Sequence, residues 1–300
     1  MAKAGKLVKP NYFVIKLVRI IPLRLRKIIV VALASAFYHV SLKHRLIAIH
    51  NIACSFPEKP LKDIIKIAKE SYRSFALVAA EFCDVTKLTR DNLAGYIAIE
   101  GLDHYTAACK KNKGVLLFGA HFGNWEMGNA ALAITTKPFV FIYRVLDNSF
   151  LEKNITAVRA SCGVTSLSKE KAMRPIMRLL KKGETVHLLI DQNVAWYDGI
   201  FVDFFGRQAC ATSGLALLAL HTDSPVLPAF THRLPDGKYL LEIGREVEMI
   251  RSGNRDQDIL LNTTNFTKTI EQQVRRRPEQ WFWVHQRWKT RPCQAKYKGL

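Results

Sequence analysis

Apolar and polar positions along this chain change their spacing twice. From Leu61 to Ala79 the apolar residues Leu61, Ile64, Ile65, Ala68, Tyr72, Phe75, Ala76 and Ala79 recur at helical spacing, with Lys62, Asp63, Lys66, Lys69, Glu70 and Arg73 between them. That pattern predicts an amphipathic helix laid against a core. Upstream, Asn11 to Ile21 mixes large apolar residues with Lys16 and Arg19 and is closed by Pro22, which suits an interfacial helix whose basic side chains snorkel. Ile28 to Leu42 contains no Lys, Arg, Asp or Glu. It falls short of the roughly 18 to 20 residues of a comfortable span, so it reads as a monotopic or membrane-embedded helix, with a buried core helix as the alternative. Pro57 is a natural break. The expected organisation is a membrane-associating helical segment over 1–57 and an α/β domain over 58–300.

Beyond residue 97 the pattern becomes short apolar runs alternating with helical segments. Strands are expected at Ala98–Glu100 (an edge), Gly114–Phe118, Phe139–Tyr143, Val186–Ile190 and Pro225–Phe230, and helices at Asp103–Lys111, Ile155–Ala160, Met173–Lys182 and Ser213–Thr222. This alternation predicts the α/β class, with a mixed, largely parallel sheet flanked by helices. Ligands of such sheets lie beyond the carboxyl ends of the strands, where His121 and Asp191 both fall.

Composition changes this picture mainly through charge. Three hundred residues, 49% of them hydrophobic, are enough for a substantial core. The net charge of +20 sits at the two ends. Residues 1–57 hold ten Lys or Arg and no acid, while 275–300 hold eight against Glu279 alone. A basic, apolar amino-terminal segment favours an anionic membrane surface as partner. Nucleic acid is not expected, because none of its usual binding motifs appears. The six cysteines (Cys54, Cys83, Cys109, Cys162, Cys210, Cys293) include no C-x-x-C pair and have no His at zinc-ligand spacing. Free thiols in a reducing compartment are therefore expected, with no metal. No secretory signal is evident.

The candidate chemistry lies in "AHFGNWE", Ala120 to Glu126, directly after the apolar run from Gly114 to Gly119. Residues five apart on an unbroken helix are separated by about 140°. His121 and Glu126 can cooperate only if the chain turns between them. Gly123 permits the turn, and Asn124 is a suitable cap for a helix carrying Glu126 in its first turn. The carboxylate would then reach back to the imidazole, and a His so oriented is a general base. The spacing alone is weak, and a satisfied core histidine is an equal alternative on that ground.

The full string resembles the H-F-G-N-W-E signature of the bacterial lipid A late acyltransferases, the lauroyl and myristoyl transferases of the lysophospholipid acyltransferase superfamily. The resemblance continues through Tyr143-Arg144, Arg159, Asp191-Gln192, the run Gly199 to Gly206, Thr212 with Gly214, and Pro225 with Pro228. It ends in Pro278 to Lys289 (PEQWFWVHQRWK). The opening "IPLRLRKII" and "HNIACSFPE" follow the same family's pattern. The resemblance implies an acyltransferase that needs no cofactor, with His121 deprotonating a hydroxyl of a lipid A precursor, assisted by Glu126. The alkoxide then attacks the thioester of acyl carrier protein or coenzyme A. It also implies an enzyme at the inner membrane with its active site facing the cytoplasm.

Arg144, Arg159, Asp191 and Gln192 are the candidates for substrate binding. The arginine forks suit phosphate or carboxylate groups of a glycolipid, with surface salt bridging a stronger alternative for Arg144 than for Arg159. Asp191 either binds sugar hydroxyls or pairs with an arginine such as Arg159, and pairing is the preferred expectation. The carboxyl-terminal Trp281, Trp283 and Trp288 are expected to pack in the core rather than form an interfacial belt. The F-P-E-G-T-R block of the sister glycerol-phosphate acyltransferases is absent, which disfavours phosphatidic acid synthesis. Val145 stands where many lipid A enzymes have proline, which leaves the acceptor open. The same chemistry on another glycolipid, a lysophospholipid or an amino-acid lipid is therefore an alternative. So is a non-catalytic basic protein that binds membranes or nucleic acid.

Overall fold

The structure is a computed structural model that describes residues 12–292. Lys3, Lys6, Lys9, Asn11 and Cys293 lie outside the described residues. The described residues begin with four helices: α1 (Tyr12–Ile20), α2 (Leu23–Val40), α3 (Leu42–Ser55) and α4 (Leu61–Phe82). The α/β part follows as β1 (Ile97–Glu100), α5 (Leu102–Cys109), β2 (Val115–Gly119), α6 (Trp125–Thr135), β3 (Phe139–Tyr143), α7 (Ser149–Ser161), β4 (Val164–Ser168), α8 (Met173–Lys181) and β5 (Thr185–Leu189). A hairpin of β6 (Gly199–Phe204) and β7 (Arg207–Thr212) leads to α9 (Gly214–Thr222), β8 (Val226–Arg233), β9 (Tyr239–Ile243) and α10 (Arg255–Arg276).

Seven strands form one sheet in the order β1-β9-β8-β2-β5-β3-β4. All neighbours are parallel except β8 with β9. The class expected from the alternation of strands and helices is thus the class observed. β2 lies centrally and all five of its residues are buried. Leu116 and Phe118 point into one core, with Ile176 and Leu180 of α8, Leu215 of α9 and Phe266 of α10. Val115 and Leu117 point into the other, with Tyr105 of α5, Met127 of α6 and Val158 of α7. The period-2 alternation of a strand buried on both faces accounts for this split. The carboxyl-terminal tryptophans are core residues, as expected: Trp281, Trp283 and Trp288 are all buried.

The amino-terminal helices refine the reading of 1–57. The apolar stretch at Ile28 belongs to a helix that begins at Leu23, ends at Val40 and turns by 89° into α3. No single described helix is long and apolar enough to cross a membrane, although α2 and α3 together pass by length and composition. Only Arg26 and Tyr38 of α2 are buried, while Leu25, Ile28, Leu33, Phe37 and Val40 are exposed. Part of the basic charge is internal. Arg26 pairs with the buried Asp84, and Lys27 Nζ lies 2.7 Å from Glu81 Oε1. Arg19 donates to Thr86 at 3.2 Å. Residues from 1–57 also join the central core, with Tyr38, Ala48, Ile52 and Phe56 packed in the cluster that holds Phe118.

Candidate active site

β2 ends at Gly119 and the chain turns sharply over the next four residues. Gly123 has φ +55°, and a Cβ there would stand 1.7 Å from the Thr231 carbonyl oxygen, so glycine is required by both conformation and space. Asn124 then caps α6, its side-chain oxygen accepting from the Met127 N–H at 3.1 Å, as the sequence predicts. This turn sets His121 at the carboxyl edge of the sheet. β5 runs parallel beside β2 in the register Gly119↔Leu189, so Asp191 emerges next to it.

The carboxylate that meets the imidazole is that of Asp191. His121 Nδ1 lies 2.8 Å from Asp191 Oδ1, the His121 backbone N–H donates to Oδ2 at 3.0 Å, and the Trp281 indole donates to the same Oδ2 at 2.9 Å. A carboxylate only accepts, so Nδ1 carries the proton and Nε2 presents its lone pair outward. The Gln192 side-chain amide stands 3.4 Å from Nε2. Asp191 is 4% exposed and the His121 side chain 23%. Burial pushes the Asp191 carboxyl up, but the attraction of the His121 ring in its protonated form and the hydrogen bonds from His121 and Trp281 outweigh it and hold the group at about 2.

Two expectations about carboxylates are corrected here. Glu126 lies in the first turn of α6 but its oxygens are committed elsewhere. Arg159 grips it in bidentate fashion, Nε to Oε2 at 3.0 Å and Nη2 to Oε1 at 2.6 Å, and the Trp125 indole donates to Oε1 at 3.0 Å. The pairing of Asp191 with Arg159 is therefore not formed. Each takes a different partner, because α7 delivers Arg159 to the α6 face of the sheet while Asp191 leaves the end of β5. The Arg159–Glu126 pair is buried, at 10% and 7% side-chain exposure, and the guanidinium lies over the rings of Phe141 and Tyr143. It borders the imidazole through Trp125, whose ring centroid is 5.2 Å from that of His121. Arg144 is not gathered in. It is exposed and pairs with Asp147 at 3.0 Å.

Several participants had no signal in the pattern around His121. Glu81, near the end of α4, accepts from Arg233 through both terminal nitrogens at 2.9 and 2.7 Å, from Asn124 at 3.0 Å and from the Tyr239 hydroxyl. Gln280 exchanges hydrogen bonds with the Arg233 backbone, and its carbonyl accepts from the Gly123 N–H at 2.9 Å. The turn is thus held in a closed ring of contacts through Asn124, Glu81, Arg233, Gln280 and Gly123. Arg287 is fully buried, donates to the Cys210 carbonyl at 2.5 Å, and is pulled by burial down to about 10. His285 accepts from the Asn193 N–H through Nε2 at 2.7 Å, and burial lowers it to about 4, which keeps it neutral.

Next to the dyad lies an apolar cavity of about 900 Å³ between α2, α3, α4 and the segments around Asn193 and 282–289. Leu33 and Phe37 of α2 and Tyr72, Phe75 and Ala79 of α4 line it. Phe282, also in its wall, donates its N–H to the His121 carbonyl and stacks on Phe75 at 4.3 Å. Among the described residues no three His, Cys, Asp or Glu side chains cluster closely enough to hold a metal ion.

A histidine hydrogen-bonded to a buried carboxylate thus stands at the carboxyl edge of a largely parallel sheet in an α/β protein, with an apolar cavity nearby. The family model described as bacterial lipid A biosynthesis acyltransferase matches residues 8–290. The chain belongs to that family and is an acyltransferase. It is similar to the lipid A biosynthesis palmitoleoyltransferase of Escherichia coli (strain K12), 28% identical over 248 residues, which cover 82% of this chain and 79% of that one. It is likewise similar to the lipid A biosynthesis lauroyltransferase of the same organism, 26% identical over 84% of this chain and 81% of the relative. A shorter likeness, 25% identical over 57% of each chain, is to the phosphatidylinositol mannoside acyltransferase of Mycolicibacterium smegmatis.

Proposed function

We propose that this protein moves a fatty acyl chain from the thioester of acyl carrier protein or coenzyme A to a hydroxyl of a lipid A precursor, at the cytoplasmic face of the inner membrane. The observation that carries the mechanism is the His121–Asp191 pair with Nε2 left open. Nε2 takes the proton of the acceptor hydroxyl as its oxygen attacks the thioester carbonyl, and Asp191 stabilises the imidazolium that forms. The tetrahedral intermediate collapses with loss of the thiolate, which recovers the proton from His121. An ester and a free thiol result. Glu126 serves this centre indirectly: with Arg159 it fixes Trp125 and the first turn of α6 beside the imidazole. The Gln192 amide, 3.4 Å from His121 Nε2, stands where it can meet the acceptor hydroxyl.

The cavity supports a hydrocarbon chain as substrate, since its walls come from apolar residues of α2 and α4. The exposed apolar residues of α1, α2 and α3 together with the basic residues of 1–57 support a membrane-facing segment. The lipid A acceptor rests on the names of the relatives, and the likeness to a phosphatidylinositol mannoside enzyme makes another glycolipid the rival acceptor. Purified protein in detergent, given an acyl thioester and a lipid A precursor, should release thiol and form an acylated product, and His121→Ala should lose nearly all of it. Turnover by His121→Ala close to native would refute the mechanism. Formation of product only with other glycolipids would replace the acceptor and keep the chemistry.

A further inference from the structure

We infer that the outer face of α8, with the segment leading into it, is the docking surface for the acidic carrier protein that brings the acyl thioester. This rests on the donor reading above and adds where the donor sits. Lys169, Lys171, Arg174, Arg178, Lys181 and Lys182 are all exposed, and none forms an ion pair among the described residues. Glu170 is the one acid within 169–182. Arg174, Arg178 and Lys181 share one face of α8 by their helical spacing. Ile176 and Leu180 bury the other face in the core. Basic side chains elsewhere on the molecule are often consumed locally, as Arg26, Lys27, Arg159 and Arg233 are. The stripe on α8 is unspent, so its field reaches solvent and attracts an acidic partner.

Its position suits delivery. β4 pairs with β3 in the register Tyr143↔Ser168, and β3, β5 and β2 follow in order across the sheet. Ser168 and Gly119 therefore lie in one cross-sheet row, three strand spacings apart, about 14 Å. Lys169 begins the stripe at the same carboxyl edge that carries His121, within reach of a thioester on a flexible prosthetic arm. α8 joins β4 to β5, two strands pointing the same way, so it runs back along the sheet away from that edge. From Arg174 to Lys182 it descends about 12 Å. Unlike α1 to α3, the stripe lacks a run of exposed apolar residues, with only Met173 among the large ones, which fits a soluble acidic partner better than a lipid surface.

The test is the variant Lys171→Glu/Arg174→Glu/Arg178→Glu in the full-length protein, with unchanged thermal unfolding as the check on folding. Steady-state kinetics are measured with two donors: the acyl carrier protein thioester, and an acyl-pantetheine thioester that has the arm without the carrier. The expected result is a KM for the carrier donor raised at least tenfold with a flattened salt dependence, and turnover of acyl-pantetheine within twofold of native. Equal losses with both donors, or no change with the carrier, would overturn the docking surface. A variant whose carrier kinetics are native but whose binding to vesicles containing anionic phospholipid falls would also overturn it and assign the stripe to lipid. If the native enzyme consumes acyl-pantetheine or acyl-CoA but never the carrier thioester, the donor reading fails and the surface falls with it.

Discussion

Replacing Asp191 with asparagine keeps the shape of the side chain but removes its negative charge and the ability of both of its terminal atoms to accept. In the native site Oδ2 takes two hydrogen bonds, from the His121 backbone and the Trp281 indole, while Oδ1 takes the ring Nδ1–H. Asparagine has one oxygen. Placed at the Oδ2 position it satisfies both fixed donors and turns its NH₂ toward Nδ1, which must then accept. The ring proton moves to Nε2, where it blocks proton uptake from the acceptor hydroxyl. The opposite placement leaves two buried donors facing an NH₂ group, at about 1–3 kcal/mol for each unmet donor, so the inactive tautomer is favoured by several kcal/mol. The same exchange in a serine-protease triad costs about 10⁴ in kcat, and a loss of about 10³ to 10⁴ is expected here with the fold intact. Single-turnover acyl transfer followed by thiol release measures it, with near-native KM for the acceptor as the companion result. A loss under tenfold for Asp191→Asn, alongside abolition by Glu126→Gln, would refute the assignment and restore Glu126 as the direct partner of His121.

Glu126→Gln should strand the Arg159 charge in a buried site and destabilise the protein by about 3 to 5 kcal/mol, whereas Glu126→Gln combined with Arg159→Met should cost much less than the sum of the single changes; additive thermal shifts would show the pair uncoupled. His187, held neutral by burial at about 3, and His285, at about 4, both have folded pKa values below the ordinary 6.5. The unfolded chain therefore binds more protons, stability is full above pH 6.5, and it is lost as pH falls toward 4 for His285 and toward 3 for His187, at about 3 kcal/mol per pH unit near pH 5. Chemical denaturation at pH 7, 6 and 5 reads that slope, and a flat profile would contradict the burial of these rings. Asp191 has the opposite ionisation but adds in the same direction: its folded value near 2 lies below 3.8, so its share persists above about pH 4 and vanishes only toward pH 2. Removal of residues 1–22 should weaken binding to anionic vesicles and make the remainder less dependent on salt, while acyl transfer in detergent persists; full retention of salt-dependent binding would place the contact elsewhere.

Much of the fold was legible because its causes are local. The 3.6-residue period from Leu61 to Ala79, the apolar runs of β2, β3 and β5, and the glycine turn capped by Asn124 each depend on residues within a few positions of one another. β4, β9, the β6–β7 hairpin, α3 and α10 were not anticipated as elements. Their patterns are weaker: β4 reads Val-Thr-Ser-Leu-Ser, and α10 is polar over most of its length with a buried face of Asn262, Thr263 and Thr267 beside Phe266 and Ile270. The family resemblance named His121, Glu126, Arg159 and Asp191, which the fold brings near one another, but it paired His121 with Glu126, whereas the hydrogen bonds pair it with Asp191. His121 and Glu126 are five residues apart and looked like partners, while the partner in space is 70 residues away. Parallel pairing of β2 with β5 makes that choice, because it sets the two strand ends side by side, and α7 then brings Arg159 to claim Glu126. The amino-terminal charges show the same division: sequence alone marks 1–57 as basic and apolar, but only the packing of α2 on α4 reveals that Arg26 and Lys27 face Asp84 and Glu81 inside the protein. A chain records what each residue is and how its near neighbours repeat, whereas ion pairs are settled by distance in the folded state, where desolvation makes a buried charge take the nearest opposite one.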